Sequence, residues 1–133
     1  MMNEEQLKKL SPSVFAFVGD AVYGLFVRTA LADTNRSSGD LHALSVQLVN
    51  ASAQSKAFHQ IETYLTEEEL DLFKRGRNFH TKSTPKNATV ADYHTATGLE
   101  CLFGYLYLSG QADRAKKLFD QIWQSFANAA DHP

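Results

Sequence analysis

Apolar residues at helical spacing, bounded by capping signals, restrict the fold of this chain more than any other feature of its sequence. Ser11 followed by Pro12 is a helix start, Thr66 and Thr89 each begin a capping-box pattern, and Ser109-Gly110 is a helix end. The spacing predicts five helices, from about Pro12 to Leu31, Asp40 to Ile61, Thr66 to Gly76, Thr89 to Leu108 and Gln111 to Ala127. No segment alternates polar and apolar residues as a strand does. We therefore predict an all-α fold.

The length of 133 residues predicts one domain spanning residues 1–133. Apolar residues at 44% and charged residues at 21% are typical of globular proteins and exclude disordered, collagen-like and disulfide-scaffold classes. The single cysteine, Cys101, and the lack of a signal-peptide pattern indicate a reduced, cytoplasmic protein. Val14 to Leu31 is apolar enough to be considered as a membrane span, but Asp20 and Arg28 within it favour a buried helix and no membrane.

Two carboxylates stand in the most apolar parts of two predicted helices, Asp20 in the first and Glu100 in the fourth. Both are expected to be buried, and a buried charge needs a partner. Each acid has a small residue four positions before it and four positions after it: Ala16 and Gly24, Ala96 and Gly104. Such small residues would let the two helices approach closely. The two acids would then face a common point.

Two like charges in one buried site require either a proton or a cation between them. Oxygen ligands without neighbouring His or Cys indicate Mg²⁺ or Mn²⁺ rather than zinc. In the alternative interpretation, Asp20 and Glu100 pair with Arg28 or with hydroxyl and backbone donors and do no chemistry. The spacing alone favours neither.

Five of the thirteen Lys and Arg residues cluster within thirteen positions, and no acid occurs between Leu72 and Ala91: Lys74, Arg75, Arg77, Lys82 and Lys86. The segment also contains Gly, Pro, Asn, Ser and Thr, which predicts a loop rich in hydrogen-bond donors. Phosphate oxygens are bound by such donors, so we expect these five residues to contact a nucleic-acid backbone. The alternative is a solvated connector whose charges balance Glu67, Glu68 and Glu69.

The segments around the two acids resemble known motifs. Phe17-Val-Gly-Asp-Ala-Val and Leu99-Glu-Cys-Leu-Phe-Gly-Tyr-Leu-Tyr-Leu resemble, in order and distance, the two acidic motifs of the ribonuclease III catalytic domain. The intervening Lys74-Arg-Gly-Arg-Asn and Thr84-Pro-Lys-Asn resemble those of Mini-ribonuclease III, the small bacterial branch that lacks the double-stranded-RNA-binding domain. The resemblance extends over about Leu10 to Phe126, almost the whole chain.

This resemblance implies a ribonuclease III-like, all-helical endonuclease domain that forms a homodimer and hydrolyses double-stranded RNA. It also implies Mg²⁺ as the cofactor, with Mn²⁺ as a substitute, and products with 5′-phosphate and 3′-hydroxyl ends. The implied substrate is the precursor of large-subunit (23S) ribosomal RNA, with a ribosomal protein on that RNA as a further partner. Asp20 and Glu100 carry over as the catalytic, metal-binding acids.

The chain departs from the larger ribonuclease III enzymes at two positions of these motifs. Those enzymes have a Glu four residues before the first acid and an Asp three before the second, where this chain has Ala16 and Thr97. Two carboxylates supply fewer ligands than four, so the number of metal ions per site stays open. The Thr97 hydroxyl, waters and substrate phosphate would complete the shell, as Mg²⁺ retains several waters.

Phe17 follows the first of these departures and is our candidate for a contact across the two-fold axis of a homodimer. The alternative is an ordinary core residue of its own subunit. For the protein as a whole, two other functions are compatible with the residues. One is a catalytically inactive, ribosome-associated RNA-binding protein derived from a nuclease, and the other is a helical protein-interaction module.

Overall fold

The computed structural model describes residues 1–79 and 89–131. Within these ranges every regular element is helical, which confirms the predicted all-α fold. A single-turn 3₁₀ helix spans Glu62–Tyr64. The α-helices are α1 (Glu4–Lys8), α2 (Pro12–Leu31), α3 (Ser38–Val49), α4 (Ala51–Ile61), α5 (Glu67–Arg77), α6 (Val90–Leu108) and α7 (Ala112–Asp131).

The segment predicted as one helix from Asp40 to Ile61 is two helices, α3 and α4, because Asn50 interrupts it. Asn50 has an extended backbone, and its side chain accepts a hydrogen bond from the Ala53 N–H at the start of α4. The same side chain donates to the carbonyls of Val46 and Gln47 at the end of α3. One Asn therefore caps both helices, which is the role this residue type favours over a helix interior.

Two details at other helix ends also differ from the sequence-based prediction. Gly76 does not end α5, which continues to Arg77. Gly76 is instead buried against α6, where a Cβ would lie 2.5 Å from the Cβ of Cys101. The short helix α1 was not predicted, although Asn3 and Gln6 form a complete capping box.

Helix α6 lies at the centre of the fold and packs against α2, α4, α5 and α7. It meets α2 backbone to backbone: a Cβ on Gly19 would lie 1.6 Å from the carbonyl oxygen of Glu100, and one on Gly104 would lie 1.8 Å from that of Phe15. The close approach of the two helices that the small residues predict therefore exists. The glycine of α2 that lies in this contact is Gly19, however, and not the predicted Gly24. No atom lies within 4 Å of the Cβ position of Gly24.

Helix α2 has a buried face and an exposed apolar face. Phe15, Tyr23 and Val27 are buried against the core, whereas Phe17 and Leu25 are 80% and 62% exposed. The prediction of a buried helix is thus right for one face only. By length and composition α2 could also cross a membrane, a property that the core helices of soluble proteins share.

Candidate active site

The Gly19 contact brings Asp20 and Glu100 together at the surface of the domain. Gly19 packs on the backbone of Glu100, so the next residue of α2, Asp20, projects beside the Glu100 side chain. Both line an open pocket of about 330 Å³. The other residues that line it are Ser13, Ala16, Phe17, Phe79, Tyr93 and Thr97.

The expectation that both acids are buried is wrong for Asp20. Asp20 is exposed and Glu100 is half-buried, since the side of α2 that carries Asp20 faces away from the core. Arg28 does not pair with them, because it lies eight residues beyond Asp20, about 12 Å along the helix. Among the described residues Arg28 takes part in no salt bridge. The two carboxylates are therefore accessible from solvent and not neutralised by that arginine.

The proximity of the Asp20 carboxyl group affects the pKa of Glu100. Burial, the hydrogen bond with Asp20 and the negative charge of Asp20 together raise the pKa of Glu100 to about 8. The side chain of Gln54 hydrogen-bonds the same carboxylate and acts in the opposite direction. Without a cation, the protonated form of Glu100 is therefore favoured near neutral pH.

Gln54 is a site residue that sequence reasoning missed. It lies on α4, and its side chain is almost fully buried at 2% exposure. The only hint in the sequence is a polar amide at an inward-facing position of an amphipathic helix. The residue that it contacts, Glu100, is 46 positions further along the chain.

Thr97 lines the pocket one turn before Glu100, and Ala16 lines it one turn before Asp20. The Thr97 hydroxyl donates a hydrogen bond to the carbonyl of Tyr93 at 3.0 Å. Because its proton is used in that bond, its oxygen can only accept a hydrogen bond or bind a cation from the pocket side. The small side chain of Ala16 leaves space where the larger enzymes have a carboxylate.

The five predicted RNA-binding residues do not form one loop. Lys74, Arg75 and Arg77 lie in the last turn and a half of α5, so the prediction of a loop is wrong for them. Cations are favourable at the C-terminal end of a helix dipole, and a helix can therefore end in such a run. Lys82 and Lys86 lie outside the described residues.

Arg75 and Arg77 point to different surroundings. Arg75 lines a groove of about 540 Å³ together with Glu4, Glu68 and Asp71. For Arg75 the alternative of charge balance with neighbouring acids therefore fits the structure. The Arg77 guanidinium lies over the ring of Phe73, 5.7 Å from its centroid.

Phe17 lies at the rim of the pocket and is 80% exposed. The interpretation of Phe17 as a core residue of its own subunit is therefore wrong. Leu25 at 62% and Val14 at 38% extend the same apolar face of α2. A contact of this face across a dimer axis stays a prediction.

The residues of this site lie in a region that matches a known protein family. The family described as "Ribonuclease III domain" matches residues 13–111, which include both acids. Mini-ribonuclease 3 of Clostridium tetani is 42% identical over 90% of this chain and 80% of its own length. Mini-ribonuclease 3 of a Thermoanaerobacter species is 43% identical, over 90% and 85%. This chain belongs to the ribonuclease III family, in its Mini-ribonuclease III branch.

Two further matches extend over nearly the whole length of the matched protein. Mini-ribonuclease 3 of Brevibacillus brevis is 40% identical over 92% of this chain and 95% of that protein. A crystal structure of a Fusobacterium nucleatum protein superposes with a TM-score of 0.81 at 29% identity, over 90% of this chain and 96% of the other. The all-α arrangement described above is thus also that of a solved structure.

Membership in the family decides the class of activity. The chain is an endoribonuclease, and neither the inactive ribosome-associated protein nor the helical interaction module fits. Enzymes of the family act on double-stranded RNA, typically as dimers, and generally depend on a divalent metal ion.

Proposed function

We propose that this chain is a Mg²⁺-dependent endonuclease that cuts double-stranded RNA and matures the ends of the large-subunit (23S) ribosomal RNA precursor. The observation that carries the proposal is the pair of carboxyl groups, Asp20 and Glu100, in contact in an open pocket. The products would have 5′-phosphate and 3′-hydroxyl ends. A cytoplasmic location is part of the same proposal, and its support is that the relatives are bacterial Mini-ribonucleases.

The residues of the pocket fit a hard divalent cation. A cation bound between Asp20 and Glu100 would favour the ionised form of Glu100 and offset the repulsion between the two carboxylates. Mg²⁺ is commonly held by one or two carboxylates together with waters and substrate phosphates. Among the described residues no group of three or more His, Cys, Asp or Glu side chains is placed to hold a metal, so the two acids are the protein ligands that we propose.

Within this site each residue has a separate role. Asp20 and Glu100 would hold the metal, and the hydroxyl oxygen of Thr97, whose proton is donated to the Tyr93 carbonyl, would accept a hydrogen bond from a water in the pocket. When bound, Mg²⁺ would supply a water of lowered pKa and neutralise the charge that develops at the phosphate during in-line displacement. The reaction needs no covalent bond to the protein.

The basic residues position the RNA backbone under this proposal. Arg77, Lys74 and Arg75 lie on the helix whose end leads into Phe79 at the pocket, and Lys82 and Lys86 follow in sequence. The deep, narrow major groove of A-form RNA does not admit side chains, so the duplex would be recognised by shape and phosphate contacts. Cleavage would then depend weakly on sequence, and a ribosomal protein on the precursor would supply selectivity.

The functional unit under this proposal is a homodimer formed through α2. An exposed apolar face that includes Phe17, Val14 and Leu25 is unusual for a monomer and typical of an interaction surface. A second copy of the same face would cover it in an isologous interface. Each copy would bring one catalytic pocket to one strand of the duplex.

The test is cleavage of a plain RNA duplex by the purified full-length protein. We expect cleavage with Mg²⁺, no cleavage with EDTA, and no cleavage of either strand alone. Direct ligation of adapters to the products would show their 5′-phosphates. A duplex that stays intact with Mg²⁺ and with Mn²⁺ would contradict the proposed metal dependence, and unchanged 23S precursor ends in cells that lack the protein would contradict the proposed substrate.

A further inference from the structure

A groove of about 550 Å³ lies between the end of α2 and the first turns of α3, and it shares no residue with the catalytic pocket. Arg28, Arg36 and His42 line this α2–α3 groove together with four hydroxyl or amide side chains, and among the described residues no Asp or Glu lines it. The catalytic pocket and three other grooves of the domain each contain at least one carboxylate. The α2–α3 groove is therefore suited to an anion.

Arg36 is held in place before any ligand binds. Its Nη1 donates to the carbonyl oxygen of Leu31, at the end of α2, and to Oδ1 of Asp33. A guanidinium has five N–H donors in one plane, and within the described residues the hydrogen bonds of Arg36 all use Nη1. The N–H groups of Nε and Nη2 are therefore left for a ligand, and the two anchoring bonds fix the plane in which they point.

Arg28 supplies the charge that no acid of the groove balances. Its side chain is exposed and takes part in no salt bridge among the described residues. The two acids nearest in sequence to the groove are Asp33, which binds Arg36, and Asp40 in the first turn of α3, and neither lines it. His42 adds a ring N–H in either tautomer. Phosphate oxygens are bound by such a combination of guanidinium, imidazole and hydroxyl donors.

The distance from the catalytic acids indicates the source of the phosphate. Arg28 lies eight residues beyond Asp20 on α2, about 12 Å along the helix and about 80° around it. Double-stranded DNA carries roughly one phosphate charge per 1.7 Å of its axis, and an RNA duplex is comparably charged. A duplex with one phosphate at Asp20 therefore has other phosphates at the distance of Arg28.

We propose that the α2–α3 groove is a second phosphate site, in which Arg28 and Arg36 hold a backbone phosphate of the RNA duplex while another phosphate occupies the catalytic pocket. The inference rests on the proposed action on double-stranded RNA. Such a contact strengthens binding of any sequence and fixes the position of the duplex along α2. A free phosphate ion would use the same donors, so the experiment tests both sources.

The test measures binding of a plain RNA duplex to the full-length protein over a range of salt concentrations, without Mg²⁺ so that the RNA stays intact. Arg28→Gln removes the charge of an exposed side chain, and Arg28→Glu reverses it. Lys117→Gln is the matched control, because Lys117 is a cation in a groove that also contains Asp120. Inorganic phosphate is titrated separately against isotope-labelled protein, and thermal unfolding and sedimentation equilibrium are recorded for each variant.

We expect Arg28→Gln to lower the slope of log affinity against log salt concentration by about one, which is about 5- to 10-fold weaker binding at about 0.1 M salt. Arg28→Glu should weaken binding further, and Lys117→Gln should bind like the wild type. The unfolding temperatures should stay close to that of the wild type, because exposed charges contribute little to stability.

The outcomes separate this site from the proposed function. An unchanged slope in a folded Arg28→Glu variant would overturn the second phosphate site and leave the catalytic pocket unaffected. Phosphate-dependent shifts of the Ser38 and His42 amide signals, with an unchanged RNA slope, would assign the groove to a small anion and overturn the RNA contact. Weaker self-association of Arg28→Gln with an unchanged slope would assign Arg28 to a subunit interface instead. Wild-type protein that binds no duplex would overturn the proposed function, and this inference with it.

Discussion

A Cβ atom added to Gly19 would lie 1.6 Å from the carbonyl oxygen of Glu100. The two helices that carry Asp20 and Glu100, the proposed catalytic acids, are therefore in backbone contact beside the acids themselves. Gly19→Ala must push α2 away from α6, and we expect it to lower the free energy of unfolding by about 3 kcal/mol or more. Thermal or urea unfolding measures the loss. Gly39→Ala is the control, since nothing lies within 4 Å of its Cβ position, and equal stability of the two variants would contradict the contact.

Asp20→Asn and Glu100→Gln should each lower the rate of cleavage by about 100-fold or more. Both should preserve the fold and most RNA binding. Each change removes a metal ligand and keeps the side-chain volume. Because an amide at either position can donate to the remaining carboxyl group, as protonated Glu100 does to Asp20, neither variant should be less stable than the wild type without metal. Cleavage rates, unfolding curves and duplex binding are the measurements. Full Mg²⁺-dependent activity in either folded variant would refute the assignment.

Phe17→Ala should weaken the proposed homodimer by about 2 kcal/mol or more and leave the stability of the subunit nearly unchanged, because the ring is 80% exposed. Paired cuts in a duplex should become slow nicks. Phe15→Ala is the contrast: Phe15 is 1% exposed, and its truncation should cost about 3 to 5 kcal/mol of stability. Sedimentation equilibrium and strand-resolved cleavage give the readouts. A wild-type monomer at micromolar concentration that still cuts both strands would rule out the arrangement.

Arg77→Ala, Lys82→Ala and Lys86→Ala should each weaken binding to any RNA duplex. Each should also lower the slope of log affinity against log salt concentration by about one, since one phosphate contact is lost. Arg75→Ala should have the smallest effect, since Arg75 lies in the groove that contains Glu4, Glu68 and Asp71. Binding titrations over a range of salt concentrations separate the four variants. An unchanged salt dependence in all of them would show that RNA binds elsewhere.

From the contacts of Glu69 we expect part of the free energy of unfolding to be lost in acid. Burial acts to raise the pKa of Glu69, but hydrogen bonds from Arg114 and Thr66 outweigh it and hold the pKa below its ordinary value. The Arg114 guanidinium binds both carboxylate oxygens at 2.9 Å. A carboxyl with a lowered pKa in the folded state stabilises the protein fully at neutral pH, and this contribution is lost as the pH falls below about 4.

Glu69→Gln should accordingly lower the free energy of unfolding by about 1 to 3 kcal/mol at pH 7 and by less at pH 3. Unfolding temperatures measured from pH 7 to pH 3 would show the two curves converging. Asp120→Asn breaks the exposed pair with Lys116 and should change stability by less than about 1 kcal/mol. Parallel pH profiles for wild type and Glu69→Gln would contradict the role of Glu69.

Local signals predicted the helices well because helix starts and ends depend on neighbouring residues. Thr66 and Thr89 cap α5 and α6 as their sequences indicate. The break at Asn50 was missed because the apolar spacing continues across it. Charge and glycine content do not distinguish a loop from a helix end, so the segment from Lys74 to Arg77, predicted as a loop, is the end of α5.

Long-range features of the site were predicted only in part. The two acids were correctly expected to face each other, but the sequence could not reveal that Gly19 rather than Gly24 lies in the contact. That choice depends on the rotation and crossing of α2 against α6, which many side chains determine together. The contact of Gln54 with Glu100 joins helices that are distant in sequence, and no local pattern marks it.

The backbone contact at Gly19 and Gly104 has a consequence for how this enzyme tolerates change. Where two main chains touch, their separation depends on atomic radii and not on the size of the side chains around them. Substitutions deep in the core, at Tyr23, Phe103 or Phe119, can therefore alter how long the domain survives heating without altering the spacing of the two carboxylates in the molecules that stay folded. Resistance to heat and the geometry of the proposed cation site can therefore change independently of each other.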